Sequence, residues 1–131
     1  MGLKGSPPRV GRCRTNAHVE RFVAQSAVLP LIDLIVHHGG TGTVLSALEV
    51  GLPQLLLPQG ADQFFNAEIL TTTGAGRALP NDAQQPGAIS EAVVALLGDS
   101  PERQIAARVR DEIAAMPAPA DVVPALVALG G

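Results

Sequence analysis

Aromatic side chains are nearly missing from this chain of 131 residues, which has three phenylalanines and neither tryptophan nor tyrosine. With so few rings there is no platform for stacking bases, and the small acidic excess offers a phosphate backbone nothing to pair with. Both features exclude nucleic acid as a partner. Cysteine occurs once, at Cys13, so no internal disulfide can form and a reducing compartment is expected. Long hydrophobic runs are lacking too. The longest, Ala27 to Val36, is broken by Pro30 and Asp33 and falls short of the roughly 20 residues that a membrane span needs. The basic N-terminus has no apolar stretch behind it and does not read as a secretory signal. Together these absences predict a cytoplasmic protein with no membrane partner.

What is present divides at about residue 15. Residues 1–15 hold Lys4, Arg9, Arg12 and Arg14, no acid, and the run Gly5-Ser6-Pro7-Pro8. That composition predicts a basic, disordered leader unrelated to the domain that follows. Residues 16–131 read as one domain. His18 to Val23 has the alternation of a strand, and Ser26 to Leu31 reads as a short helix cut by Pro30. The continuous Leu-Ile-Val run within Asp33–His37 predicts a buried strand. Thr43 to Val50 reads as a helix stopped at Gly51, with Pro53 just beyond. Gln54 to Leu57 is the next expected strand, closed by Pro58. A helix from Ala61 to Thr73 ending at Gly74 follows, then a short strand at Gly76–Leu79. Three helices complete the pattern, at Ala88–Leu97, at Pro101–Met116 with Ser100 as cap, and at about Asp121–Leu129.

Alternating strands and helices predict an α/β fold with a parallel sheet and right-handed crossovers. Ligands of such sheets bind beyond the carboxyl ends of the strands. That rule places three segments in one crevice: Val23-Ala24-Gln25, His37 to Thr43, and Pro58 to Gln63.

The middle segment, His37-His38-Gly39-Gly40-Thr41-Gly42-Thr43, carries the chemistry. A strand, a glycine turn and a helix start, in that order, suit an anion, because backbone N–H groups can approach it and the helix N-terminus adds partial positive charge. The spacing is neither the dinucleotide fingerprint nor a P-loop, which would need a lysine after the last glycine. Taken alone, such a turn serves equally well as a plain connection. His37 and His38 do not suggest a metal, since neighbours on a strand point to opposite faces and no Cys/His set accompanies them. No metal or cofactor is expected. Asp62 and Gln63, beyond the next strand, could grip vicinal hydroxyls as sugar recognition requires. Equally, Asp62 could be an acid placed to favour a helix N-terminus.

His38-Gly39-Gly40-Thr41-Gly42-Thr43, then Gly51-Leu52-Pro53, then Pro58 to Glu68 with Asp62-Gln63 and Asn66-Ala67-Glu68, together resemble the C-terminal donor-binding half of the UDP-glycosyltransferase superfamily. The nearest look is to bacterial enzymes that glycosylate natural products, and it extends over about Asn16 to Leu129. The resemblance implies a partial Rossmann-like parallel sheet with flanking helices, the C-terminal domain of a GT-B fold without its first βαβ portion. It implies a nucleotide-sugar donor, with UDP or TDP as carrier, and transfer of the sugar to a small-molecule acceptor with inversion. His38, Gly40, Gly42 and Thr43 would bind the donor diphosphate, Asp62 and Gln63 its sugar, and Val23, Gln25 and Ser46 its base and ribose.

Three departures from the family pattern shape the functional expectation. Ala24 replaces a proline before Gln25. Ser46 stands where many members carry a glutamate for the ribose diol, and Glu49 is expected to be too far along to substitute. The N-terminal domain, which in the family holds the acceptor pocket and the catalytic histidine base, has no counterpart here. No catalytic residue is therefore assigned, and the edge of the strand at Leu34–His37 is expected to be open. The chain is read as a glycosyltransferase donor domain. The alternatives are a non-catalytic remnant that holds nucleotide at most and, with less support from the Asp62-Gln63 context, half of a sugar-nucleotide epimerase.

Overall fold

A computed structural model of the chain describes residues 15–130. The expected disorder of the basic leader and the lone Cys13 lie outside them, apart from Thr15. Helix α1 spans Gln25–Val28 and runs into a 3-10 turn at Leu29–Leu31. Strand β1 (Ile35–His37) leads to α2 (Thr41–Glu49), β2 (Gln54–Leu56) to α3 (Gln63–Thr73), and β3 (Gly76–Ala78) through a 3-10 turn to α4 (Pro86–Leu96). Helices α5 (Pro101–Ala114) and α6 (Pro119–Leu129) follow. The fold is α/β, with a sheet of order β1-β2-β3 and both pairs parallel.

Alternation along the strands builds the layers. Leu56 on β2 faces Val44 of α2, Ala67 and Leu70 of α3 and Ala106 of α5. Its neighbour Leu55 faces the opposite way, onto Ala92 and Leu96 of α4. All of β2 is buried, as a central strand covered on both faces should be. Gly76 lets β3 lie close to it, since a Cβ there would meet the Gln54 carbonyl at 2.6 Å and Leu70 at 2.7 Å. Helix ends follow the expected chemistry. Gly51 and Gly74 stop α2 and α3 with left-handed φ of +74° and +78°, and the Ser100 side chain accepts the Arg103 N–H at the start of α5.

Four expectations need correction. His18–Val23 is not a strand but an exposed irregular segment, with Phe22 85% exposed. Alternation supplied the pattern, but among the described residues no neighbouring strand accepts its backbone hydrogen bonds, and a strand without a partner does not hold. Strand β1 is only half buried, because among the described residues it pairs on one side alone and Val36 on the α4 face stays exposed. It is the open edge the sequence suggested. Helix α2 begins at Thr41 rather than Thr43, with Gly40 as its N-cap. Helix α3 begins at Gln63 rather than Ala61, because Ala61 sits at φ +53°, outside helical geometry. Among the described residues no single helix is long and apolar enough to cross a membrane.

Candidate functional site

The carboxyl ends of the three strands are joined by side-chain hydrogen bonds into one rim. Beyond β1, the chain turns at Gly39, whose φ is +97° and whose Cβ, if present, would press on Leu56 and the Gln63 carbonyl. The turn delivers Gly40 as the N-cap of α2 with no side-chain cap. The first intrahelical bond is Val44 N–H to the Gly40 carbonyl, so the N–H groups of Thr41, Gly42 and Thr43 have no acceptor within the helix. A Cβ on Gly42 would meet nothing within 4 Å, leaving this end open to solvent. The exposed His38 ring folds back over the turn, where a Cβ on Gly40 would lie 2.8 Å from its Nε2.

His37 faces inward and fixes the turn from beneath. Its Nδ1 accepts the Gly39 N–H at 3.2 Å, so its proton lies on Nε2, which donates to Gln54 Oε1 at 2.8 Å. The fully buried Gln54 completes the line by donating from Nε2 to the Val44 carbonyl at 3.2 Å. Burial lowers the His37 pKa below 6.5, and the nearby His38 adds to that effect. The Gln54 bond opposes both without reversing the direction.

Beyond β2, Asp62 and Gln63 open α3. Thr41 Oγ1 donates to Asp62 Oδ2 at 3.0 Å, while Asn66 Nδ2 donates to the Gly39 carbonyl at 2.9 Å and to Thr41 Oγ1 at 3.0 Å. These bonds tie the turn after β1 to the loop after β2. Gln63 Oε1 accepts the N–H groups of Gln59 and Gly60, while its amide nitrogen makes no hydrogen bond among the described residues. A sugar hydroxyl is both donor and acceptor, and Asp62 and Gln63 offer one of each. Beyond β3, Gln84 Nε2 donates to the carbonyls of Pro58 and Leu79, extending the rim to the third strand.

The structure therefore brings together His38, Gly40, Gly42, Thr43, Asp62 and Gln63. Val23 and Gln25 are exposed and make no hydrogen bond to this rim among the described residues. Ser46 faces the α1 segment across a hollow of about 200 Å³ lined with Ser26, Leu29, Glu49 and Val50. Glu49 shares a face with Ser46, as residues three apart on a helix do. A second hollow of about 230 Å³ runs between α2 and α3 past Leu45, Leu48 and Ile69 and meets the site only at Thr41 and Asn66. Sequence reasoning missed the linking roles of Asn66, Gln54 and Gln84. Asn66 could have been found from its position one turn after Asp62, whereas the two glutamines carry no local signal.

Comparison with known proteins bears on this geometry. Residues 4–129 match the family described as erythromycin biosynthesis protein CIII-like, C-terminal domain, a match that takes in most of the basic leader. The chain is 46% identical over 110 residues to the L-demethylnoviosyl transferase of Streptomyces niveus, covering 79% of this chain and 29% of that protein. The glycosyltransferase SnogD from Streptomyces nogalater superposes with a TM-score of 0.76 at 37% identity, over 92% of this chain and 32% of that one. The glycosyltransferase VinC, in complex with DTDP, gives a TM-score of 0.83 at 29% identity, over 90% of this chain and 30% of that one. The chain spans about a third or less of the length of these proteins.

Proposed function

Because the chain belongs to the erythromycin biosynthesis protein CIII-like C-terminal domain family of glycosyltransferases, we propose that it binds the nucleoside-diphosphate sugar donor, UDP- or TDP-linked, for transfer to a small-molecule acceptor. One observation carries the reading: the uncapped start of α2, with His38 over it, is hydrogen-bonded through Thr41 to Asp62. A diphosphate on the amides of Gly42 and Thr43, with His38 and Gly40 beside it, would leave the attached sugar in reach of Asp62 and Gln63. Val23, Gln25 and Ser46 would then serve the base and pentose, the furthest part of the donor.

The physics of transfer fits this placement. As the bond from sugar to diphosphate breaks, negative charge gathers on the departing nucleotide, and fixed N–H donors stabilise it. Removing one such donor typically costs roughly 2.7–4 kcal/mol of barrier. Attack from the face opposite the diphosphate would invert the sugar carbon. In this reading His38 is committed to the diphosphate and Asp62 to the sugar, so neither serves as the base for an acceptor. His37 already has both ring nitrogens engaged, and this favours donor holding, without transfer by these residues alone.

Calorimetry of the chain with UDP and with TDP tests the reading. Binding of at least one of them, weakened about tenfold by His38→Ala, the loss expected for one charge-assisted hydrogen bond, is the expected result. No binding, or binding indifferent to that substitution, overturns it.

A further inference from the structure

The line from Gly39 through His37 and Gln54 to the Val44 carbonyl is not part of the donor contacts proposed above, yet it sits directly under them. Each end of the line is a backbone group that defines the site. Gly39 N–H belongs to the turn, and Val44 belongs to the first turns of α2. The histidine reads as the hinge pin of the arrangement. An acceptor is required at Nδ1 and a donor at Nε2, and only the neutral ring in one tautomer supplies both. Gln54 enforces the choice, because its amide is oriented by the Val44 carbonyl and turns its oxygen to His37.

We propose that His37 is the positioning residue of the diphosphate cradle, and that its protonation opens the Gly39 turn and releases the nucleotide. A proton on Nδ1 would face the Gly39 N–H, donor against donor. Gly39 is buried at φ +97°, and Leu56 and the Gln63 carbonyl close off the space beside its Cα where a Cβ would stand, so the turn has little room to swing its amide to water. Relief of the clash would move Gly40 and the Gly39 carbonyl, and with them the Asn66 bond that links the turn to α3. The groups facing His37 are few. From β2 it meets neutral Gln54 and, through that amide, the α2 backbone carbonyl of Val44. His38, with its ring centroid 6.4 Å away, is the one charged or titratable group acting on it among the described residues, and it disfavours the second charge.

The inference rests on the proposed donor site for its binding readout, and on the unliganded chain for its structural one, so the two can fail separately. His37→Asn is the informative variant. Its Oδ1 can accept the Gly39 N–H as Nδ1 does, in the manner of an Asx turn, and it cannot titrate. Measured from pH 8 to pH 5, the wild-type affinity for UDP or TDP should fall relative to His37→Asn by about tenfold, as expected for loss of one supporting hydrogen bond. Taking the ratio of the two proteins at each pH cancels the titration of the nucleotide's own phosphate. His37→Ala should bind weakly at every pH. In the unliganded chain, nitrogen-15 shifts of the imidazole should show the proton on Nε2 at neutral pH, and the Gly39 amide shift should track the titration of His37. Parallel pH curves for wild type and His37→Asn overturn the proposal. So does a proton on Nδ1, or a Gly39 amide that ignores the titration. If no variant binds nucleotide at pH 8, the donor reading fails and the nitrogen and amide shifts alone decide the role of His37.

Discussion

The turn at residues 37–43 and the approach at residues 15–25 are close in sequence and opposite in physical character. The turn rests on a strand paired to a buried neighbour, on Leu56 beneath it, and on hydrogen bonds to His37 and from Asn66. The approach has none of these, and Val19, Phe22 and Val23 all lie exposed. Both carry residues proposed for one ligand, its diphosphate end for the first and its base end for the second. The difference teaches that a binding residue acquires a fixed position from what lies behind it rather than from its own chemistry. If that is right, the diphosphate end is pre-formed and the base end is ordered by contact with the donor.

The largest effect expected from this contrast is on stability. Leu56→Ala should cost about 2–5 kcal/mol, because Leu56 is fully buried and its loss leaves a cavity under the turn. Phe22→Ala should change stability by less than about 0.5 kcal/mol, in keeping with an exposed side chain. Urea unfolding of the two variants gives both numbers. Similar costs for the two would remove the contrast between the regions.

A smaller effect isolates the clasp. Asn66→Ala should cost about 0.5–1.5 kcal/mol by removing its bonds to the Gly39 carbonyl and Thr41. Exchange of the Val44 amide, which is bonded to Gly40, should quicken, while exchange at Ala27 in α1 should not. Equal acceleration at both places would mean that the clasp stiffens the whole molecule rather than the turn.

How much of this was legible in the sequence follows the same division. The strands, the helix stops at Gly51 and Gly74, and the Ser100 cap were readable because each depends on neighbours a few residues away. The gathering of His38, Gly40, Gly42 and Thr43 with Asp62 and Gln63 followed from one rule about parallel sheets. What could not be read was tertiary. The His18–Val23 pattern gives no sign of whether a partner strand exists. Nothing near Gln54 announces that it is buried and bonded to His37, since a glutamine at a strand start is ordinarily placed in water. The shared face of Ser46 and Glu49 was local and could have been read from helical spacing.

Ala61 offers a finer probe of how the diphosphate end is held. It adopts φ +53° in the loop that leads into Asp62 and Gln63, a conformation costing an L-residue about 1–2 kcal/mol. Glycine removes that cost but adds freedom to the unfolded chain, so Ala61→Gly should stabilise by a net of about 0.5 kcal/mol. A rise of a degree or more in melting temperature is the expected reading. A fall would show that the left-handed backbone here carries no strain.

Acid should separate the turn after β1 from the ion pair that joins β3 to α5. Burial keeps His37 below its ordinary value of 6.5 in the folded chain. In the window from 6.5 down to that lower value the unfolded state binds more protons, so stability falls as pH falls, beginning just below neutrality. In that pair, Glu102 is pushed up by burial, but hydrogen bonds from Arg77 and from the start of α5, together with the Arg77 charge, more than reverse this and hold it below 4.5. Its contribution is therefore complete above about 4.5 and is lost only as pH falls through the lower folded value. With the Arg77 side chain 43% exposed, the pair is expected to be worth no more than about 1 kcal/mol. Urea melts across pH should then show two separate declines. His37→Asn should abolish the upper one and leave the lower one in place, whereas Arg77→Met should do the reverse. A single decline below pH 4.5 would mean that the turn feels no strain from His37 protonation, and the contrast between the two regions would have to rest on packing alone.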